Sequence, residues 1–207
     1  MASLNEFSNH DVEIESVENV YQGFFKIQTY HFKHALFAGG MSQTIRREIL
    51  ERGHAVAVLP YDPNTDSVLL IEQIRIGAMV TKSSPWLLEC IAGMAEGSTD
   101  YEHVVRKEAH EEAGLHLDKL HFMMSYLSSP GGTTERLYLY LAETDLSQVG
   151  GVYGLESEGE DIKTHVLTYD EAITRLNSGE IDNAATVISL QWLAINKAKV
   201  LAPCGKS

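Results

Sequence analysis

The sequence predicts an α/β protein: a mixed sheet between helices, preceded by a small antiparallel β-sheet unit. Three observations carry this. His54 to Pro60 and Ser67 to Gln73 are almost continuously apolar, as strands covered on both faces are. One strongly marked helix lies between a glycine turn at Gly93 and a glycine stop at Gly114. Strands enclose that helix, and two further helices close the chain, a pattern that buries a sheet between helical layers.

Residues 1 to about 12 read as a polar lead-in. Phe25, Ile27 and Thr29 alternate with Lys26, Gln28 and Tyr30, which is strand periodicity. Phe37 to Gly40 is a turn. Ser42 to Leu50 fits helix or strand, and the preceding turn favours strand. A sheet this small cannot bury a core alone, so it leans on the rest of the chain or on a second copy. We therefore place a small β-sheet unit at residues 1–52 and the main domain at 53–207. Within the latter, Asp62 to Thr65 turns between the two apolar strands. Ala78 to Pro85 reads as loop and Trp86 to Ile91 as a short strand. Leu120 to Leu127 and Arg136 to Ala142 are strands, Glu143 to Gly159 is loop, and Ile162 to Leu167 is strand. Thr168 with Glu171 makes a capping box that opens a helix ending before Gly179. Ala184 to Val200 is a last amphipathic helix, with Ile188, Trp192 and Ile195 on one face.

The first helix is the anomaly. Thr99 is placed as N-cap with Glu102 three residues on, and the helix runs from about Asp100 to Ala113. Tyr101, Val104, Val105 and Ala109 share one side; His103, Arg106, Lys107 and His110 share the other. Glu108, Glu111 and Glu112 overlap the apolar side. Like charges three and four residues apart repel, and the helix C-terminus disfavours anions. Half-buried carboxylates need a cation. Hard oxygen ligands at this spacing suit Mg²⁺ or Mn²⁺. An ordinary acidic helix face is the plainer alternative, but its inward position beside a glycine turn argues against it.

Composition narrows the class. A formal net charge of −13 argues against a general nucleic-acid binder. It does not exclude a small polyphosphate, because a divalent ion reverses the local charge. Cys90 and Cys204 suggest no disulfide framework, and no apolar run approaches a membrane span. The expected location is cytoplasmic. Gly205-Lys206-Ser207 resembles the end of a phosphate-binding loop but lacks its leading glycine and flanking elements.

Gly93, Glu108, Glu111, Glu112, Gly114 and Leu115 fall in register with a 23-position box. By these residues the stretch resembles the box of the Nudix hydrolases, G-x5-E-x7-R-E-U-x-E-E-x-G-U with U a bulky apolar residue. Thr99 stands where the family usually has Glu, and Lys107 where it has Arg. The resemblance implies the Nudix α/β/α sandwich from about residue 53 onward. Pro130, fifteen residues beyond Leu115, matches the mark of the ADP-ribose pyrophosphatases within the family.

The resemblance also implies an activity, Mg²⁺-dependent hydrolysis of ADP-ribose to AMP and ribose 5-phosphate, and the residues for it. By the same resemblance, the carbonyl of Ala92 and the carboxylates of Glu108, Glu112 and Glu160, with Glu111 as a further ligand, hold about two or three ions, and Mn²⁺ can substitute. Glu158, on an acidic loop with Glu156 and Glu160, is implied as the catalytic base. Implied substrate contacts fall on Phe24, Phe25, Arg47, Glu48, Arg52, Arg75, Ser129, Pro130, Gly131 and Glu135. Read without the resemblance, the arginines are ordinary surface ion pairs, the phenylalanines core, and Ser129-Pro130-Gly131 a turn. A homodimer is implied, with the N-terminal sheet completing the partner's site. The alternatives are a pyrophosphatase for another nucleoside diphosphate sugar and a non-catalytic sensor of ADP-ribose.

Overall fold

A computed structural model describes residues 6–200. Cys204 and the Gly205-Lys206-Ser207 tail lie outside the described residues. Two compact units are present: one holds the chain through Gly53 together with Leu127–Glu135, the other holds His54–Tyr126 and the chain from Arg136 onward.

The first unit is a three-stranded antiparallel sheet, ordered β1 (Val12–Gln22), β2 (Lys26–His34), β3 (Ile45–Glu51). The alternation around Phe25 and the turn at Phe37 to Gly40 produce β2 and the β2–β3 connection as expected. β1 is a long edge strand, exposed at nearly every position. Leu127–Glu135 joins this unit through its turn. Leu50 N–H donates to the Gly132 carbonyl at 2.8 Å, and Thr133 Oγ1 donates to the Leu50 carbonyl at 2.9 Å.

The second unit is an eight-stranded mixed sheet. Its main order is β10 (Gly151–Tyr153), β11 (Ile162–Thr168), β5 (Ser67–Ile74), β4 (Ala55–Asp62), β9 (Arg136–Glu143), β8 (Lys119–Leu127). β4 runs parallel to β9 and antiparallel to its other partners. Every residue of β4 is buried, because both faces are covered. Val56 and Val58 pack with Val104, Val105 and Ala109 of α1 (Tyr101–Ala113). Ala57, Leu59 and Tyr61 point the other way, to Ala172 of α2 (Tyr169–Ser178) and to Leu190 and Leu193 of α3 (Ala184–Val200). The strand period of two thus sorts one strand into two cores and makes the α/β/α sandwich. Each fully buried valine or leucine among them contributes roughly 1.5–3 kcal/mol.

Four local expectations are corrected. The N-cap of α1 is Asp100, not Thr99: its side chain accepts from His103 N–H at 3.1 Å, one residue later than the Thr99–Glu102 spacing suggests. The expected single strand at Trp86 to Ile91 is two, β6 (Trp86–Glu89) and β7 (Ile91–Met94). The chain breaks at buried Cys90 because β6 pairs with β5 while β7 pairs with β4. Cys90 N–H then finds Thr186 Oγ1 at 2.8 Å instead of a strand partner. The Glu143 to Gly159 stretch contains β10 and a 3-10 turn at Glu156–Glu158. Finally, α3 buries Thr186, Ser189, Leu190 and Leu193, whereas Ile195 is 79% exposed. Apolar residues surround this helix, so periodicity alone does not choose its inner face. The α2 capping box at Thr168 and Glu171 forms as expected, and Gly179 takes the left-handed position.

Candidate active site

α1 places the acids. Its apolar residues seat it on the sheet, and Gly114 ends it in the left-handed region (φ 65°). A side chain at Gly114 would also strike the Tyr153 ring. With the helix so fixed, Glu112 is buried and Glu108 and Glu111 are half-buried. The carboxylate of Glu112 accepts from Ala92 N–H of β7 at 3.2 Å. Gly93 follows on the same strand, and a Cβ there would lie 2.2 Å from Glu108 Cδ. That glycine is therefore required by close approach of a carboxylate, not by its backbone angle.

The next wall is the loop after β10. Gly154 N–H donates to the Glu111 carbonyl at 3.3 Å, docking the loop on the end of α1. Gly154 has φ 105°, and a Cβ there would meet Glu160 Cβ at 2.7 Å. Glu160 closes the loop on itself: its carboxylate accepts from Leu155 N–H at 3.0 Å. Glu158 ends the 3-10 turn before left-handed Gly159, and its side chain is exposed.

Burial pushes the Glu112 carboxyl up to about 8, opposed by the Ala92 N–H and reinforced by the charges of Glu108 and Glu160. Glu108 is raised as well, by burial first, with Lys107 opposing and Glu111 and Glu160 adding. Glu112 thus feels Glu108 and Glu160, and Glu108 feels Glu111 and Glu160, the electrostatics of crowded carboxylates. Two cations stand nearby. Lys107 Nζ lies 3.0 Å from Glu111 and 3.3 Å from Glu108. Arg75 contributes to the field at Glu112 and pairs with Glu89 at 2.8 Å. Glu89 is a partner of Arg75 that the sequence did not disclose. It lies on β6, and burial raises its carboxyl against the pull of Arg75. The available signal was an acid inside the apolar run Trp86 to Ile91, which demands a cationic partner.

The donor set fits a hard divalent ion: all oxygen, crowded and anionic. Among the described residues, no three His, Cys, Asp or Glu side chains stand arranged to hold a metal ion as they are. Lys107 and two backbone N–H groups occupy carboxylate oxygens of the set.

The expected substrate residues of the first unit divide into two groups. Phe25, Arg52 and Glu135 come together. The Arg52 guanidinium lies 5.2 Å from the Phe25 ring centroid, and its Nε is 3.1 Å from Glu135 Oε1. That Nε is at ion-pair distance but lacks hydrogen-bond alignment. Phe24 stacks edge-on to Phe25 at 4.9 Å and is 86% exposed. Ser129, Pro130 and Gly131 form the exposed turn of Leu127–Glu135, where Ser129 accepts from Gly132 and Thr133 N–H groups at 2.9 Å. Arg47 and Glu48 turn to other partners than the Phe25 cluster: Arg47 donates to the Arg46 carbonyl and Glu48 pairs with Arg46.

An acid-bearing helix set against a glycine strand in an α/β/α sandwich defines the Nudix class of fold. The NUDIX domain model matches residues 51–199, and the chain belongs to that family. Membership implies dependence on a divalent metal in general. The chain is 50% identical over 190 residues to the ADP-ribose pyrophosphatase of Escherichia coli (strain K12), covering 92% of this chain and 91% of that one. It is 45% identical over 203 residues to the ADP-ribose pyrophosphatase of Haemophilus influenzae, covering 97% and 94%. A crystal structure described as an ADP compounds hydrolase superposes with a TM-score of 0.70 at 17% identity, over 98% of this chain and all of that one. At that identity the likeness speaks for the fold.

Proposed function

We propose that the chain hydrolyses ADP-ribose to AMP and ribose 5-phosphate with Mg²⁺. The observation that carries this reading is the seating of Glu112 on the Ala92 N–H and of Glu108 against Gly93, on a fold whose relatives in Escherichia coli and Haemophilus influenzae are ADP-ribose pyrophosphatases. Glu108, Glu112, Glu160, the Ala92 carbonyl and Glu111 would hold about two or three ions, with Mn²⁺ as a substitute. Bound there, a metal would lower the pKa of a water and neutralise charge on the diphosphate. Glu158 takes the proton of the attacking water, a role that its exposed side chain suits. Arg75, oriented by Glu89, meets diphosphate oxygens as a guanidinium fork does. Phe24 and Phe25 stack the adenine; Arg47, Glu48, Arg52, Ser129, Pro130, Gly131 and Glu135 contact the remainder. The working form is a cytoplasmic homodimer whose site is shared between protomers.

The test is a chromatographic turnover screen of ADP-ribose, other nucleoside diphosphate sugars, dinucleotides and dNTPs with Mg²⁺. ADP-ribose should give the highest kcat/KM. Glu158→Gln should lower kcat by about 10²–10⁴ with KM little changed, while Glu156→Gln stays near wild type. Preference for another sugar nucleotide overturns the substrate assignment. ADP-ribose binding without turnover identifies a sensor instead. A crippled Glu156→Gln beside an active Glu158→Gln moves the base.

A further inference from the structure

We propose that Lys107 is a resident counter-ion of the carboxylate cluster, and that a divalent metal enters by displacing it. The inference rests on the reading that Glu108 and Glu111 are metal ligands. Its own observation is the placement of Lys107. Glu111 is one turn ahead of it, a normal helical neighbour, and the two pair at 3.0 Å. Glu108 is the adjacent residue, which on a helix points elsewhere, yet the same ammonium lies 3.3 Å from its Oε1. The flexible stem of lysine is folded over to bridge both acids, which the planar fork of an arginine does less readily. One positive charge is thereby shared between two acids at the helix end where anions are least favoured.

An ammonium and a divalent ion held on the same carboxylate repel each other, so the two compete for Glu108. Metal binding is therefore an exchange: the ion takes Glu108, and Lys107, half exposed in its side chain, swings into solvent. The metal-free protein is then stabilised by Lys107, and the metal binds more weakly than it would to unbridged acids.

Both effects are measured on the full chain without substrate. Lys107→Met keeps length and removes charge. Lys119→Met removes an equal charge from the exposed Glu143 pair and controls for net charge. Calorimetric titration with Mn²⁺ should show roughly a three- to tenfold lower Kd for Lys107→Met, as expected for losing a part-exposed charge opposed to a divalent ion. Lys119→Met should match wild type. The metal-free Tm of Lys107→Met should fall, while its Mn²⁺-saturated Tm returns to that of wild type. If Lys107→Met binds Mn²⁺ no more tightly than wild type, or keeps its metal-free Tm, the displaceable counter-ion is refuted. If the wild-type chain binds no Mn²⁺, the ligand assignment itself fails.

Discussion

Gly93 lacks a Cβ where the carboxyl end of Glu108 fills the space, and this gives the sharpest test at the scale of one residue. Gly93 has no left-handed backbone, so alanine costs little in conformation. The obstructing atoms belong to a flexible side chain that can move aside. We therefore expect Gly93→Ala to leave Tm within a few degrees of wild type. Displacing a reacting-site group by about 1 Å typically costs about 10²-fold in rate, and turnover should fall by that order. The measurement is Tm beside kcat and Mn²⁺ affinity; unchanged kcat and affinity would mean that the position of Glu108 does not matter. At this scale the sequence was legible where helical period acts: it set Glu108, Glu111 and Glu112 on the apolar side, and burial agrees. For Glu89 it offered only one acid in an apolar run, because a four-residue strand has no period to betray its role.

At the scale of elements, the two caps of α1 illustrate what sequence can and cannot place. Gly114 was legible because only glycine takes that conformation cheaply while Tyr153 packs over it. The N-cap was not, since Thr99 and Asp100 are both good caps and the choice depends on the chain's approach from Ser98, whose Oγ accepts from Asp100 N–H at 3.1 Å. Asp100→Ala should cost about 1 kcal/mol in urea unfolding and Thr99→Ala a few tenths. The reverse order would restore Thr99 as cap. β10 escaped the sequence for a different reason: three residues acquire strand geometry only through pairing with β11. The inner face of α3 was settled by Cys90 and the sheet, not by the helix's own pattern.

For the whole molecule, composition and the apolar strands spoke plainly for a mixed sheet between helices, whereas long-range grouping did not show. Leu127–Glu135 lies some eighty residues from β3, and its link to Leu50 is made by backbone groups and the single hydroxyl of Thr133, which no pattern announces. The described residues contain no helix long and apolar enough to cross a membrane. They do contain an apolar surface in the first unit: Val12, Ile14, Val17 and Val20 are each 40–52% exposed along β1, the edge of its sheet. An open edge lined with valine and isoleucine invites pairing unless something covers it. A second copy is the occupant we propose, because a three-stranded sheet gains little core of its own. Light scattering should give twice the 23.0 kDa chain mass. Val17→Glu with Val20→Glu puts charge on that strand. The double variant should scatter as monomer and lose ADP-ribose turnover, as the proposed shared site requires, while its Mn²⁺ affinity stays within about twofold, because the carboxylates proposed to hold metal lie elsewhere in the chain. A wild-type chain that scatters as monomer, or a monomeric variant with full turnover, would leave β1 an edge with no part in the enzyme.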